Sequence, residues 1–275
     1  MSLTDPYVQQ ATAMPAMPEV AHKLLRSFER DDMSLGELSS LIARDQTLAA
    51  KVMRLANSAR YSPSHAVASL NDAAASLGLR TLRDLTLSAC MTGAFPQPVG
   101  FDRLSFWRST LAVASYAQML APALDADPDT AYLGGLMLRT GQLLMVMVDP
   151  AGVAEVASHA VTPDSQIGFE SAILGCSHPE ITAELARHWH FPQSLVKAFG
   201  SAVDPMETRP FCRLGAVLRL ASVICDCANM GVPVADGLRL TQPALLAHVN
   251  LDLDWLVAHL PDHRLAVSGA DALMH

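Results

Sequence analysis

The sequence predicts an all-α protein made of many short helices in two packed halves. Alanine, leucine and methionine are abundant and runs of β-branched residues are scarce, which favours helices throughout the chain. No stretch sustains the alternation of apolar and polar residues that is typical of a β-strand. Helix start signals recur along the chain instead, and they indicate short helices rather than a regular bundle.

The composition excludes several classes of protein. Hydrophobic residues make up 51% of the 275 residues and charged residues 17%, so intrinsic disorder is excluded. The longest uncharged apolar run, residues 143–148, is far shorter than the roughly 20 residues that cross a bilayer. The net charge of −8 argues against nucleic acid as a partner. Because no secretory signal is visible, we expect a cytoplasmic protein with no membrane contact.

Start and stop signals place three helices in the first sixty residues. Pro18 opens the first helix, because proline is tolerated in the first turn. Ser34 and Glu37 form a capping box that starts the second, and Asp45 caps the third. Asn57 ends the third helix plausibly, since asparagine tolerates the left-handed conformation.

Two further helices and a linker follow. A short helix from Ser69 stops at Gly78, and residues 80–93 form an amphipathic helix. The segment 95–100 reads FPQPVG, and its prolines and glycine predict a linker between helical halves. We therefore predict two domains, residues 1–98 and residues 99–275, the second including a C-terminal extension.

The second half is also predicted to be helical. A second capping box, Ser177 with Glu180, starts a helix that continues to about residue 189. The tail after Pro261 is weakly patterned. The other predicted helices cover residues 102–121, 128–148, 164–175, 192–200, 210–230, 242–248 and 252–260.

Common catalytic motifs are missing from the sequence. It has no C-x-x-C pair, no G-x-S-x-G elbow and no glycine-rich phosphate loop. The five cysteines are expected to be reduced thiols, because their spacing matches no zinc site. Gly134 and Gly135 lie inside a helical pattern, where we expect close helix packing rather than a ligand site.

Three segments of the N-terminal half form a sequence pattern whose order and spacing are informative. They are residues 14–28 (MPAMPEVAHKLLRSF), 45–61 (DQTLAAKVMRLANSARY) and 67–79 (VASLNDAAASLGL). In order and spacing they resemble the HDOD domain family, and the likeness extends less clearly to about residue 260. The resemblance implies a C-terminal half like the HD domain, whose parent group consists of metal-dependent phosphohydrolases.

The metal ligands that the resemblance implies are mostly replaced in this chain. Ser109 stands at the place of the first histidine, and Leu138 and Arg139 at the place of the His-Asp pair. His178 is present, whereas Ser222 stands where the final aspartate is expected. One histidine cannot hold a catalytic ion, since even catalytic zinc sites use three protein ligands. We expect no metal, no cofactor and no catalytic residue, with the former pocket filled by apolar and neutral residues.

The resemblance implies a non-catalytic signalling or regulatory module that acts in bacterial signal transduction through protein–protein contacts. The candidate interaction surface is formed by the LANSA segment and the loop after it, with Arg54, Asn57, Ser58, Arg60 and Tyr61. In the alternative interpretation, LANSA only ends a helix and docks the two halves. The identity of the protein partner and the oligomeric state stay open.

Two other functions are weighed against this one. In a small-ligand sensor, Arg139 with Ser109 and Ser222 would bind an anion such as a nucleotide phosphate, because arginine suits bidentate phosphate contacts. Leu138 and His178 would complete such a pocket, although His178 is more simply explained as a polar residue in the first turn of a capped helix. A residual phosphohydrolase would require ligands that the pattern does not reveal.

Overall fold

The computed structural model is all-α, as predicted. It describes residues 6–7, 9, 20–24, 33–58, 61, 67–94 and 101–274, and no residue in these ranges forms a β-strand. Residues 20–24 are helical, whereas the predicted start at Pro18 and the predicted linker 95–100 lie outside the described residues.

Sixteen α-helices, α1 to α16, are numbered below within the described residues. The first four are Leu35–Ala43, Gln46–Ala56, Leu70–Ala94 and Arg103–Leu120, and the fourth leads into a 3-10 turn, Ala121–Leu124. Helices α5 to α10 are Pro128–Leu138, Thr140–Val148, Pro150–His159, Gln166–Leu174, His178–His188 and Gln193–Ser201. Helices α11 to α16 are Arg213–Met230, Val234–Thr241, Pro243–Val249, Leu253–His259, His263–Val267 and Gly269–Met274.

The predicted helix starts are confirmed by their capping contacts. The Ser34 N–H donates to Glu37 Oε2 at 2.8 Å, and the Glu37 N–H donates back to Ser34 Oγ at 3.2 Å. The Asp45 carboxylate accepts the N–H groups at the start of α2. At the start of α9 the Ser177 N–H donates to Glu180 Oε2 at 2.7 Å. These caps form from residues at most three positions apart, which is why sequence alone reveals them.

Several predicted boundaries are wrong. The predicted helix 128–148 is two helices, α5 and α6, separated by a turn at Arg139 with φ −89° and ψ 0°. The predicted end of α2 at Asn57 is confirmed, but Asn57 is not left-handed, because its φ is −88° and its ψ is 4°. Helices α7, α12, α15 and α16 lie outside the predicted helices. The break at Gly78 is confirmed inside α3, where its φ is 76°.

The chain forms two compact units. The described residues within 1–14, 98–101 and 112–261 form the larger unit, and those within 15–97, 102–111 and 262–275 form the smaller. Helix α4 therefore contributes residues to both. In the smaller unit α1 and α2 pack on α3, and their buried side chains include Leu38, Ile42, Val52, Leu55 and Leu82.

Helix α11 runs through the core of the larger unit. Most of its residues between Gly215 and Cys227 are buried, and it packs on α5, α10 and α12. The most apolar segment, Pro128–Val148, passes the length and composition test for a membrane span. However, 78% of its most apolar window is buried inside the protein and a turn interrupts it, which fits the core of a soluble protein.

The two glycines of α5 permit close packing, as predicted. A Cβ atom added to Gly135 would lie 2.6 Å from the Cα of Ala114 on α4. Added to Gly134, it would lie 3.0 Å from the Leu218 side chain. Because the atom facing Gly135 is backbone, no side-chain rotation can relieve the contact.

Replacing Gly135 with alanine is therefore expected to destabilise the larger unit. Overpacking a core costs roughly 1–3 kcal/mol of unfolding free energy. Gly168 on α8 is the matched control, because a Cβ there meets nothing within 4 Å. Gly168→Ala is expected to stabilise by about 0.5–1 kcal/mol through helix propensity. Urea unfolding measures the free energy of unfolding of both variants. Equal changes in the two variants would contradict the close packing assigned to Gly135.

Candidate functional site

A set of buried and half-buried charged and amide side chains includes two of the residues that the sequence singled out, Arg139 and His178. This set, called the polar cluster below, lies entirely in the larger unit. Its members lie on four helices, α6, α8, α9 and α11, and on the segments between helices. Its members are Arg139, Gln142, Asp164, Gln166, Glu170, His178, Arg219, Asp226 and Gln242.

The start of α6 is pressed against the start of α9, and this contact brings Arg139 towards His178. The Thr182 hydroxyl accepts from the Gly141 N–H at 2.9 Å and donates to the Leu138 carbonyl at 2.9 Å. A Cβ on Gly141 would lie 2.2 Å from the His178 carbonyl oxygen. Only glycine therefore fits at this position, and the chain turns at Arg139 just before it.

His178 forms a buried pair with Glu170. The two side chains are 3% and 2% exposed, and His178 Nδ1 lies 2.7 Å from Glu170 Oε2. The same oxygen accepts the His178 backbone N–H at 2.8 Å, and Gln166 donates to Oε1 at 3.0 Å. Burial by itself raises the pKa of Glu170, but the charge and hydrogen bonds of His178 outweigh it and lower this pKa.

Arg139 is held between an amide and a carboxylate. Its Nε donates to Gln142 Oε1 at 3.2 Å, and its Nη1 lies 3.9 Å from Asp226 Oδ1. The amide of Gln142 also lies 3.3 Å from His178 Nδ1, so it joins Arg139 to His178. Burial raises the pKa of Asp226, and Arg139 opposes this rise without cancelling it.

Asp164 ties the segment before α8 to α11 and α12. Its carboxylate lies 2.7 Å from Arg219 Nη2 and accepts a hydrogen bond from Gln242. Its backbone N–H donates to Asp226 Oδ2 at 3.2 Å. Asp164 holds a φ of 67°, a conformation that costs a non-glycine residue about 1 kcal/mol or more. Burial raises the pKa of Asp164, and Arg219 opposes this rise.

The three carboxylates of the polar cluster are each matched by a cationic or ionisable partner. Glu170 faces His178, Asp164 faces Arg219 and Asp226 faces Arg139. The expectation that apolar and neutral residues fill this region is therefore wrong. Charged groups can stay buried here because each one is paired or hydrogen-bonded. Among the described residues, no three His, Cys, Asp or Glu side chains are placed to hold a metal ion.

The predicted pocket residues are only partly brought together. Arg139 and His178 meet through Gln142. Leu138 is buried next to Arg139 and contributes its carbonyl to Thr182. Ser222 is buried on α11, and Ser109 is buried in the part of α4 that belongs to the smaller unit.

Sequence reasoning missed most of the polar cluster. One signal was available, because Arg219, Ser222 and Asp226 recur at helical spacing on one face of an otherwise apolar helix. Asp164, Glu170 and Gln242 carry no comparable signal. Each lies in an ordinary polar position of the sequence, and only the fold brings it to α9 or α11.

Among the candidate interaction residues, Asn57 has a structural role, whereas the others are described by their exposure. Arg54 is exposed, whereas Ser58 and Tyr61 are half-buried, and Arg60 lies outside the described residues. The Asn57 side chain accepts the Val67 N–H at 2.7 Å and donates to the Val67 carbonyl at 3.0 Å. It also donates to the carbonyl of Met53 at 3.0 Å. Asn57 therefore joins both ends of the segment 58–67 and closes α2.

The fold defines the class of protein as a helical domain like the HD domain. Within that class, the HDOD domain model matches residues 14–205, and the chain belongs to the HDOD family. An uncharacterised protein of Treponema pallidum (strain Nichols) is 26% identical over 191 residues. The match covers 66% of this chain and 36% of that relative, so the chain spans about a third of its length.

Solved structures share the fold over nearly the whole chain. A candidate phosphohydrolase of Shewanella amazonensis SB2B is 29% identical with a TM-score of 0.79, and 98% of each chain is covered. An HDOD domain protein of unknown function from Geobacter sulfurreducens is 20% identical with a TM-score of 0.70, covering 94% and 97%. A candidate signal transduction protein of Marinobacter aquaeolei VT8 is 22% identical with a TM-score of 0.71, covering 95% of this chain and 58% of that one.

Replacing Glu170 with glutamine is expected to destabilise the protein strongly at pH 7. Removing one partner of a buried ion pair costs roughly 3–5 kcal/mol, because the other partner stays desolvated. The control is Glu184→Gln, where the carboxylate of a partly exposed i,i+3 pair with Arg187 is lost. That change is expected to cost less than about 1 kcal/mol in the same urea unfolding measurement.

The pH dependence gives the Glu170 experiment a second readout. Because the pKa of Glu170 in the folded protein lies below its ordinary value of 4.5, its stabilising effect is complete above that value. It is lost as the pH falls through the lowered pKa. The stability gap between the unaltered protein and Glu170→Gln should therefore narrow on acidification. A gap that is constant from pH 7 to pH 3 would contradict the assigned pairing.

Proposed function

We propose that this protein is a non-catalytic regulatory module of a bacterial signalling pathway, acting in the cytoplasm through protein–protein contacts. The observation that carries the proposal is the pairing of Arg139 with Asp226. In the HD-type arrangement that the sequence resembles, Arg139 stands where a metal-binding doublet is expected. A permanent positive charge at that position would repel a divalent cation.

The residues of the polar cluster do not fit a catalytic metal. A catalytic zinc ion is held by three protein ligands with free lone pairs. Glu170 Oε2 is already occupied by two hydrogen bonds from His178, and Asp164 is engaged by Arg219 and Gln242. Extracting these carboxylates to bind an ion would leave buried cations without partners, which is energetically costly. The same helical scaffold is then used for binding and not for hydrolysis.

The proposed contact surface is the exposed end of α2 with the segment that follows it. Arg54 provides an exposed cation there, and Tyr61 provides a half-buried aromatic ring. Tyrosine and arginine are the residue types that most often dominate binding energy in interfaces. Asn57 links the end of α2 to Val67 and is proposed as a positioning residue for this surface. The partner is a protein of the signalling pathway.

A small-anion sensor is the second candidate, and one observation favours it. Arg139 Nη1 lies 3.9 Å from Asp226, which is too long for a hydrogen bond, and the Arg139 side chain is 13% exposed. The raised pKa of Asp226 makes that carboxylate easier to neutralise. A phosphate-bearing ligand would then replace Asp226 as the partner of the Arg139 guanidinium. Thermal shifts with nucleotides that disappear in Arg139→Gln would favour this candidate.

The absence of hydrolysis is tested directly on the purified full chain. We expect less than stoichiometric manganese, iron or zinc by elemental analysis, because the carboxylates are engaged internally. We also expect no hydrolysis of bis(p-nitrophenyl) phosphate above the background of His178→Ala. Stoichiometric metal together with activity that is lost in His178→Ala would contradict the proposal.

The contact surface is tested by capturing partners with a charge-reversal variant as the comparison. Arg54→Glu is expected to lose a specific protein partner that the unaltered chain retains, because the variant repels an acidic surface. Arg239→Glu is the control, since Arg239 is equally exposed and forms only a weak surface pair with Asp236. Equal capture by the two variants would rule out the end of α2 as the binding surface.

A further inference from the structure

A small half-open cleft lies apart from the polar cluster, in the larger unit. Its volume is about 170 Å³, and its walls come from the turn after α4, the start of α11 and the end of α13. The residues that matter for its chemistry are Leu124, Asp125, Phe211, Arg213, His248 and Val249. None of these residues belongs to the polar cluster, and most of them lie beyond residue 205, where the family match ends.

The walls of the cleft suit one aromatic ring. Phe211 and His248 form a ring pair with centroids 4.4 Å apart and planes tilted by 54°. Leu124 and Val249 add apolar surface. A cavity of about 150 Å³ holds benzene, so the present volume is large enough for a single six-membered ring. Ring contacts of this type add roughly 1 kcal/mol beyond the area that they bury.

The charged rim of the cleft favours an anionic group beside that ring. Arg213 pairs with Asp125, but the two side chains are 57% and 80% exposed. Such an exposed pair contributes little free energy and is readily exchanged for another carboxylate. Arg213 is also the first residue of α11, whose N-cap Cys212 makes no side-chain cap. The helix dipole therefore adds positive potential at the same place.

We propose that this cleft binds a small aromatic carboxylate. The ring contacts Phe211 and His248, and the carboxylate replaces Asp125 as the partner of Arg213. Planar guanidinium and carboxylate groups form paired charge-assisted hydrogen bonds, which orient the ligand. Asp125 then acts as a competitor that occupies the arginine when the ligand is absent.

Neutralising Arg213 and neutralising Asp125 should have opposite effects on the affinity for the ligand. Binding of 3-phenylpropionate to the full-length protein is measured by calorimetry, with its neutral amide as the control ligand. We expect Arg213→Gln to weaken binding at least tenfold, because the charged partner is lost. Asp125→Asn should tighten binding severalfold, because the competing carboxylate is gone. Arg239→Gln, which alters another exposed i,i+3 pair, should leave the affinity unchanged.

The acid and amide comparison on the unaltered protein keeps the test decisive if a variant fails to fold. The amide is expected to bind at least tenfold more weakly than the acid. Equal affinity for acid and amide, or no saturable binding at millimolar acid to either the unaltered protein or Asp125→Asn, would overturn the proposal. Neither result bears on the contact surface at the end of α2, because the two sites share no residue.

Discussion

The buried pair of Glu170 and His178 is the constraint on which the larger unit depends. It joins the C-terminal part of α8 to the first turn of α9, and Gln142 extends it to α6. A carboxylate that is 2% exposed can remain charged only because the imidazole and two further donors replace its lost water. The relative positions of α6, α8 and α9 therefore depend on the hydrogen bonds that the Glu170 carboxylate accepts. The capping box at Ser177 fixes the first turn of α9 in the same place.

The polar cluster keeps charged groups inside the larger unit by pairing each of them with a group of opposite charge or an ionisable partner. Arg139 and Arg219 supply positive charge inside the protein, and Asp226 and Asp164 neutralise it. The aspartates have raised pKa values because burial disfavours their charged form, whereas interactions with His178 outweigh burial and lower the pKa of Glu170. The Arg139 end is the looser part of the cluster, because Arg139 Nη1 lies 3.9 Å from Asp226 Oδ1 while the other two pairs are 2.7 Å apart.

At the end of α2 the exposed residue Asn57 has a structural role, because its side chain binds backbone groups. Asn57 belongs to the LANSA segment that characterises the resemblance to the HDOD family, yet its amide is used by the backbone of Val67 and Met53. One side chain thus links the end of α2 to Val67. The neighbouring Arg54 and Tyr61 are left to provide the chemistry of a contact surface, so the motif combines a positioning role with a proposed binding role.

The sequence by itself determined the all-α class, the family and the capped helix starts at Ser34, Asp45 and Ser177. Those features arise from residues within one helical turn of each other, so local spacing suffices to reveal them. The tertiary structure alone decided the break at Arg139 and the assembly of Asp164 and Glu170 with distant helices. These depend on contacts such as Gly141 against the His178 carbonyl, across 37 residues of chain. No local pattern encodes such a contact, because burial and pairing of charges are properties of the packed chain.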